Sequence, residues 1–275
     1  MKHAKFLWSL GILVAFCLVC CGKQESSPDN IHQIAQWIRA SAVEAEEGTT
    51  WPAVSGDDQT INNTLYSGTP GIVLFFLEAY YATGEKSYLE DAQAGADYLL
   101  ATLKEEKGAG LYVGLSGIGY CLEEMHKATK EARFREGVER VVGLLEQWAQ
   151  QKEMGIQWGD TTDIISGNAG TGLFLLYLAE EWRDGSLLDM ARLVGDRLLS
   201  VGIPADDGMK WAMNPQYPRL MPNFSHGTAG IAYFLASLYR DTKVRKYLDG
   251  AVAGAQYLKS VAKTDGDTCL IFHHE

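Results

Sequence analysis

Apolar residues recur at three- and four-residue intervals through most of the chain. Tyr88, Leu89, Ala92, Ala96, Leu99 and Leu103 form one such series. This spacing lines them up on one stripe of an α-helix, whereas period-two alternation, the mark of a half-buried strand, is scarcely seen. No proline lies between Gly71 and Ile203, so none interrupts a helix there. The pattern predicts a mostly helical chain.

Glycine punctuates this pattern at a regular place. Four Gly-x-x-Gly pairs, Gly68/Gly71, Gly114/Gly117, Gly167/Gly170 and Gly227/Gly230, each precede an apolar run. The first glycines are 46, 53 and 60 residues apart. A second, more polar helical segment follows each run. Tyr88, Ala92, Ala96, Tyr98 and Leu99 recur at the same offsets as Tyr247, Ala251, Ala255, Tyr257 and Leu258. The unit is therefore a helical hairpin of about fifty residues, a period typical of stacked repeats. The uniformly apolar helix of each pair should lie inside and its amphipathic partner outside. The expected fold is all-α, an α/α toroid or barrel of helical hairpins, here an incomplete arc of about four hairpins. A further outer helix is expected from Asn30 to Glu46. Small glycines let backbones crowd at one end of the inner helices, and Gly68, Gly167 and Gly227 are expected to supply positive φ there. Ser67 and Ser166 are candidate helix caps.

Repeat symmetry also exposes departures from it. The residue before the first glycine is Ser67, Val113, Ser166 and then His226; the residue four before it is Thr64, Gly110, Asp163 and Asn223. Asp163 and His226 are the ionisable exceptions, and both fall at the glycine end of the helices. An imidazole at a cavity mouth can act as acid, base or metal ligand, and a carboxylate beside it can orient it. A loop carboxylate bonded to backbone N–H groups is the plainer reading of Asp163.

The N-terminus narrows the setting. Lys2 and Lys5 precede an apolar stretch from Phe6 to Val19, too short for a comfortable membrane span. It reads as a signal-peptide core. Leu18-Val19-Cys20-Cys21 resembles a bacterial lipobox, which makes residues 1–21 a lipoprotein signal and Cys21 the lipidated residue. Residues 22–30 read as a polar tether and residues 31–275 as the helical domain. The expected location is the bacterial cell envelope, with the membrane reached through a lipid anchor. Of five cysteines, only Cys121 and Cys269 then remain as thiols, so no disulfide framework is implied. The 275-residue chain carries 24 Lys and Arg against 35 Asp and Glu, a formal charge of −11. That balance argues against nucleic acid as a partner.

Asp163-Ile164-Ile165-Ser166-Gly167-Asn168-Ala169-Gly170 and Ser225-His226-Gly227-Thr228-Ala229-Gly230 resemble the Asp-bearing and His-Gly repeat motifs of the lanthionine synthetase C-like (LanC-like) family, over about residues 30–275. The resemblance implies an α/α toroid of seven hairpins. It implies addition of a peptide cysteine thiol to a dehydrated residue, with zinc activating the thiolate and Asp163 and His226 in proton transfer. The family's zinc ligands, a Cys in one late repeat and a Cys-His pair in the next, have no match here. A fifth glycine pair would begin near or beyond residue 273, so the chain is expected to be C-terminally incomplete and to bind no zinc as it stands. Cys269, His273 and His274 offer ligand atoms outside the family's setting. Two other functions are open: an α/α-barrel carbohydrate-active enzyme, with Trp51, Trp158 and Trp211 stacking on sugars and carboxylates acting in pairs, or a non-catalytic envelope binding scaffold. The partner is a peptide or small-molecule substrate.

Overall fold

The computed structural model describes residues 28–214 and 216–273. The signal segment, Cys21 and residues 22–27 of the tether lie outside them. The described chain is a succession of helical hairpins. A leading helix α1 (Pro28–Arg39) precedes the inner–outer pairs α2 (Thr69–Thr83) with α3 (Lys86–Thr102), α4 (Leu115–Thr129) with α5 (Ala132–Trp148), α6 (Asn168–Trp182) with α7 (Gly185–Ser200), and α8 (Thr228–Thr242) with α9 (Arg245–Val261). The inner helices α2, α4, α6 and α8 pack one against the next, and each outer helix packs behind its own inner partner. Burial follows the predicted division. Asn168 to Leu178 of α6 are all buried, whereas α7 buries only the stripe Leu187, Ala191, Val194, Gly195 and Leu198. This is the toroid-type arrangement the repeats predict. Among the described residues no helix is long and apolar enough to cross a membrane.

Three local expectations are corrected. The leading helix starts at Pro28 and ends at Arg39 rather than Glu46; β1 (Val43–Glu44) and β2 (Thr49–Thr50) form a hairpin where the helix was expected to continue. Similar two-stranded hairpins follow later outer helices: β3 (Gln150–Gln151) with β4 (Ile156–Gln157), β5 (Ile203–Ala205) with β6 (Gly208–Lys210), and β9 (Lys263–Asp265) with β10 (Thr268–Leu270). A further pair, β7 (Ala212–Asn214) with β8 (Tyr217–Leu220), follows β6 directly. Such short strands carry too little alternation to register in a period-two search.

The second correction concerns the glycine pairs. Gly68, Gly167 and Gly227 have φ of −124°, −106° and −154°. They are extended, so conformation does not require glycine. Space does. A Cβ on Gly71 would lie 2.7 Å from the carbonyl oxygen of Leu65, and Gly68, Gly114, Gly117, Gly167, Gly170, Gly227 and Gly230 face the carbonyl six residues earlier in the same way, each under 3.0 Å. The loop before each inner helix thus lies flat on its first turn.

That contact also replaces the caps expected of Ser67 and Ser166, neither of which caps its helix. The free N–H groups of the first turn donate to backbone carbonyls of the folded-back loop. Thr69, Leu115, Asn168 and Thr228 donate to Asn62, Gly108, Thr161 and Met221 at 2.9–3.1 Å, seven residues back in every unit. Orphan helix donors are satisfied without a side chain, at the cost of admitting only glycine opposite.

Candidate functional site

The loops ahead of the four inner helices are tied to one another at equivalent places. Tyr66 N–H donates to Tyr112 O at 3.2 Å, Tyr112 N–H to Ile165 O at 2.9 Å, and Ile164 N–H to Ser225 O at 3.3 Å. This stitching brings all four loops to one end of the helix array. The position four before the first glycine then has a defined job. In the first unit Thr64 Oγ1 accepts the N–H of Ser67 at 3.2 Å; in the third, Asp163 Oδ1 accepts that of Ser166 at 2.8 Å; in the fourth, Asn223 Oδ1 accepts that of His226 at 2.8 Å.

The same position also touches the next unit. In the second unit it is Gly110, whose absent Cβ leaves room for the backbone of Ser166. In the third it is Asp163, whose Oδ2 lies 2.8 Å from Nδ1 of His226. Ser166 and His226 hold equivalent places, directly before a first glycine. The two ionisable departures from the repeat, 63 residues apart, therefore meet at the same pair of positions that brings Gly110 against Ser166. One oxygen of Asp163 accepts a backbone N–H and the other meets the imidazole.

Asp163 is fully buried, while the His226 side chain is 35% exposed. A buried carboxylate needs hydrogen bonds, and Asp163 has one donor for each oxygen. An ionised carboxylate only accepts, so with Asp163 ionised the proton of this pair would sit on Nδ1 of His226. Among the described residues Nε2 takes part in no hydrogen bond. The far side of Asn223 extends the network: its Nδ2 donates to the carbonyl of His273 at 3.0 Å. Sequence reading placed Asn223 at this position without a role, since its two bonds go to backbone atoms and leave no compositional trace.

Other candidates are placed elsewhere. Trp51 and Trp211 are buried, and the Trp158 indole donates to Leu145 O at 2.7 Å. Trp211 does the same to Leu198 O at 2.7 Å. All three pack against the core; Trp51 and Trp211 are closed off from solvent, so the reading of those two as sugar platforms is corrected, while Trp158 is half-buried. Cys121 and Cys269 are free; Cys121 is buried, which pushes its thiol well up, and Cys269 is exposed. Among the described residues no three His, Cys, Asp or Glu side chains are grouped to hold a metal ion; His274 lies outside them. Cys269 sits in β10 opposite Thr264, at the place Trp51, Trp158 and Trp211 take in earlier hairpins.

Carboxylates do gather on the inner helices. Glu124 accepts from the Tyr177 hydroxyl and from Lys127 at 3.0 Å, and Lys127 reaches Glu181 at 3.4 Å. Burial and then the nearby Glu124 charge raise the Glu78 carboxyl above its usual range.

A sequence profile of the family described as lanthionine synthetase C-like protein matches residues 59–270. The nisin biosynthesis protein NisC of Lactococcus lactis subsp. lactis is 24% identical over 187 residues, 63% of this chain and 44% of that protein. The chain thus spans under half the length of that relative. Among solved structures, the GH76A α-1,6-mannanase of Salegentibacter sp. HEL1_6 gives a TM-score of 0.57 at 15% identity, covering 88% of this chain and 72% of the mannanase. A sugar epimerase from a ruminal bacterium gives 0.58 at 11% identity, covering 91% and 75%. The Lin0763 protein of Listeria innocua gives 0.55 at 19%, covering 87% and 72%. At these identities the structural likeness establishes the fold alone.

Proposed function

This chain belongs to the lanthionine synthetase C-like family, and we propose that it is an acid–base catalyst in which Asp163 orients His226 to move a proton at a carbon beside a carbonyl. The carrying observation is the 2.8 Å contact between Asp163 Oδ2 and His226 Nδ1. Holding Nδ1–H on a buried carboxylate fixes the tautomer and frees Nε2 for substrate. In thiol addition to a dehydrated residue, sulfur bonds to the β-carbon and the alkene pair moves toward the carbonyl. The resulting enolate carbon then takes a proton, which a protonated His226 can deliver from Nε2. Positioned proton transfer of this kind contributes about 10²–10⁴-fold.

Zinc would stabilise the attacking thiolate in such a reaction. The described residues do not supply its ligands: Cys121 is buried and Cys269 stands alone on an exposed strand. No step assigned to this chain runs through a metal. The substrate is a peptide or small molecule, in keeping with the peptide-biosynthetic name of NisC. We place the protein at the bacterial cell envelope, anchored by a lipid on Cys21, on the sequence of residues 1–21.

A second reading has its own observation. Glu78, whose carboxyl is raised by burial and by the nearby Glu124 charge, and Glu124, held by Tyr177 and Lys127 on the adjacent inner helix, would supply the acid and the carboxylate that glycoside chemistry uses. The sugar-acting proteins of like fold support it. One experiment separates the two. A dehydroalanine peptide with glutathione in D₂O should gain α-deuterium with the parent and lose about 10²-fold or more in rate with Asp163→Asn and His226→Gln. Turnover of mannosides that falls in Glu78→Gln but survives Asp163→Asn supports the sugar reading and removes the first.

A further inference from the structure

A cavity of about 250 Å³ opens between the segment leading into α6, the end of α7 and the strand β7. Its apolar wall is Leu198, Val201, Ile203 and Ala212. Its polar side is a chain of three residues. Arg197 Nε donates to Gln157 Oε1 at 2.6 Å, and Gln157 Nε2 donates to Asp160 Oδ1 at 2.9 Å. Gln157 is buried, with 2% of its surface exposed. One amide therefore holds a guanidinium and a carboxylate side by side on the cavity wall.

Among the described residues neither charge has an oppositely charged partner. Arg197 has no carboxylate partner among the described residues; beyond Gln157 it reaches only the Ser200 hydroxyl, at 3.4 Å. Three of its five N–H donors remain. Asp160 Oδ2 accepts nothing from the described residues, and Asp160 is exposed at the rim. The wall behind them is fixed, because buried Asn168 donates to Gly159 O at 3.1 Å and Thr161 O at 2.8 Å and accepts from Trp158 N–H at 2.8 Å.

The repeat makes this arrangement stand out. The hairpin glycines Gly48, Gly155 and Gly208 rest on the backbone nitrogens of Tyr98, Arg197 and Tyr257. Arg197 therefore occupies a place that other units give to tyrosine. The residue before the hairpin tryptophan is Thr50, Gln157 or Lys210, and in the last unit Lys210 lies over the Tyr257 ring at 5.4 Å. The third unit places a guanidinium and a carboxylate about Gln157, and it does so at a cavity.

The geometry points to a binding site for a free, zwitterionic α-amino acid with an apolar side chain. Its carboxylate would lie on Arg197 and its ammonium on Asp160, with the side chain against Leu198, Val201 and Ile203. The volume lies below the roughly 300–1,000 Å³ of drug-sized sites, which suits one amino acid. This assignment is independent of the Asp163–His226 chemistry.

The test is calorimetric titration of the full chain with L-leucine, N-acetyl-L-leucine and L-leucinamide. Leucine should bind saturably at one site. Each probe lacking one charge should bind about tenfold or more weakly, as loss of a charge-assisted hydrogen bond demands. Arg197→Gln should abolish leucine binding. Asp160→Asn, at an exposed residue that leaves the fold alone, should weaken leucine and leucinamide but not N-acetyl-leucine. No saturable leucine binding, equal binding of the three probes, or an Asp160→Asn protein that binds leucine like the parent would each overturn the assignment.

Discussion

A Cβ placed on Gly110 would lie 2.6 Å from the Cα of Ser166, whose N–H holds one oxygen of Asp163. Gly110 thus supports the carboxylate from the neighbouring unit without touching it. Gly110→Ala should push the Ser166 loop away and lower the catalytic rate about tenfold or more, in line with the cost of misplacing a reacting group. Its KM should change little. Steady-state kinetics on the proposed thiol-addition reaction checks this, with circular dichroism to confirm folding.

The glycine pairs give a stability contrast. Gly227→Ala forces a Cβ onto the carbonyl of Met221 and should cost about 1–3 kcal/mol or more. Gly143, inside α5, has nothing within 4 Å of an added Cβ. Gly143→Ala should therefore stabilise the protein by about 0.5–1 kcal/mol. Chemical denaturation of the two variants should move the midpoint in opposite directions.

The hairpin tryptophans are not equivalent. Trp211 and Trp158 each donate to a carbonyl 13 residues back, in the last turn of an outer helix. The matching carbonyl for Trp51 is Ile38, which already accepts from Ser41 N–H at 3.0 Å, and the Trp51 indole nitrogen has no partner among the described residues. Trp211→Phe leaves a buried carbonyl without its donor and should cost about 1–3 kcal/mol more than Trp51→Phe. Equal losses would show that the indole bond adds nothing.

Much of this was legible in the sequence, for reasons that differ by element. The helices were, because α2 through α9 keep a 3.6-residue stripe and a glycine pair at every inner start. The strands were not, since two or three residues cannot display a period. Yet the hairpins carry a signal of their own: Gly48, Gly155 and Gly208 each stand three residues before Trp51, Trp158 and Trp211. The pairing of Asp163 with His226 was legible because both depart from the repeat at positions that touch between units. The crowding of backbones at the glycines was legible too, but not the absence of positive φ at Gly68, Gly167 and Gly227, because a packed carbonyl and a positive φ demand the same residue. The Asp160–Gln157–Arg197 chain was invisible until the fold aligned α7 with α3 and α9.

Glu123 supplies a pH dependence. It is buried on α4, its Oε2 lacks a hydrogen bond among the described residues, and burial raises its carboxyl above the usual range despite Trp182 and Arg135 nearby. A carboxyl raised in the folded state binds its proton more tightly there than when unfolded. The native chain therefore loses stability as pH rises from the unfolded value through the folded one. Glu123→Gln removes that loss, and Arg135 keeps Glu139 at 3.3 Å. Melting curves from pH 4 to 7 should show the variant gaining on the parent as pH rises.

The central claim is that Asp163 holds the proton of His226 on Nδ1 and leaves Nε2 open to substrate. Nitrogen-15 NMR of the imidazole reads this directly in the neutral ring. The account predicts the Nδ1–H form in the parent protein and its loss toward the Nε2–H form preferred in water when Asp163 is changed to Ala. A parent already in the Nε2–H form, unmoved by Asp163→Ala, would contradict it.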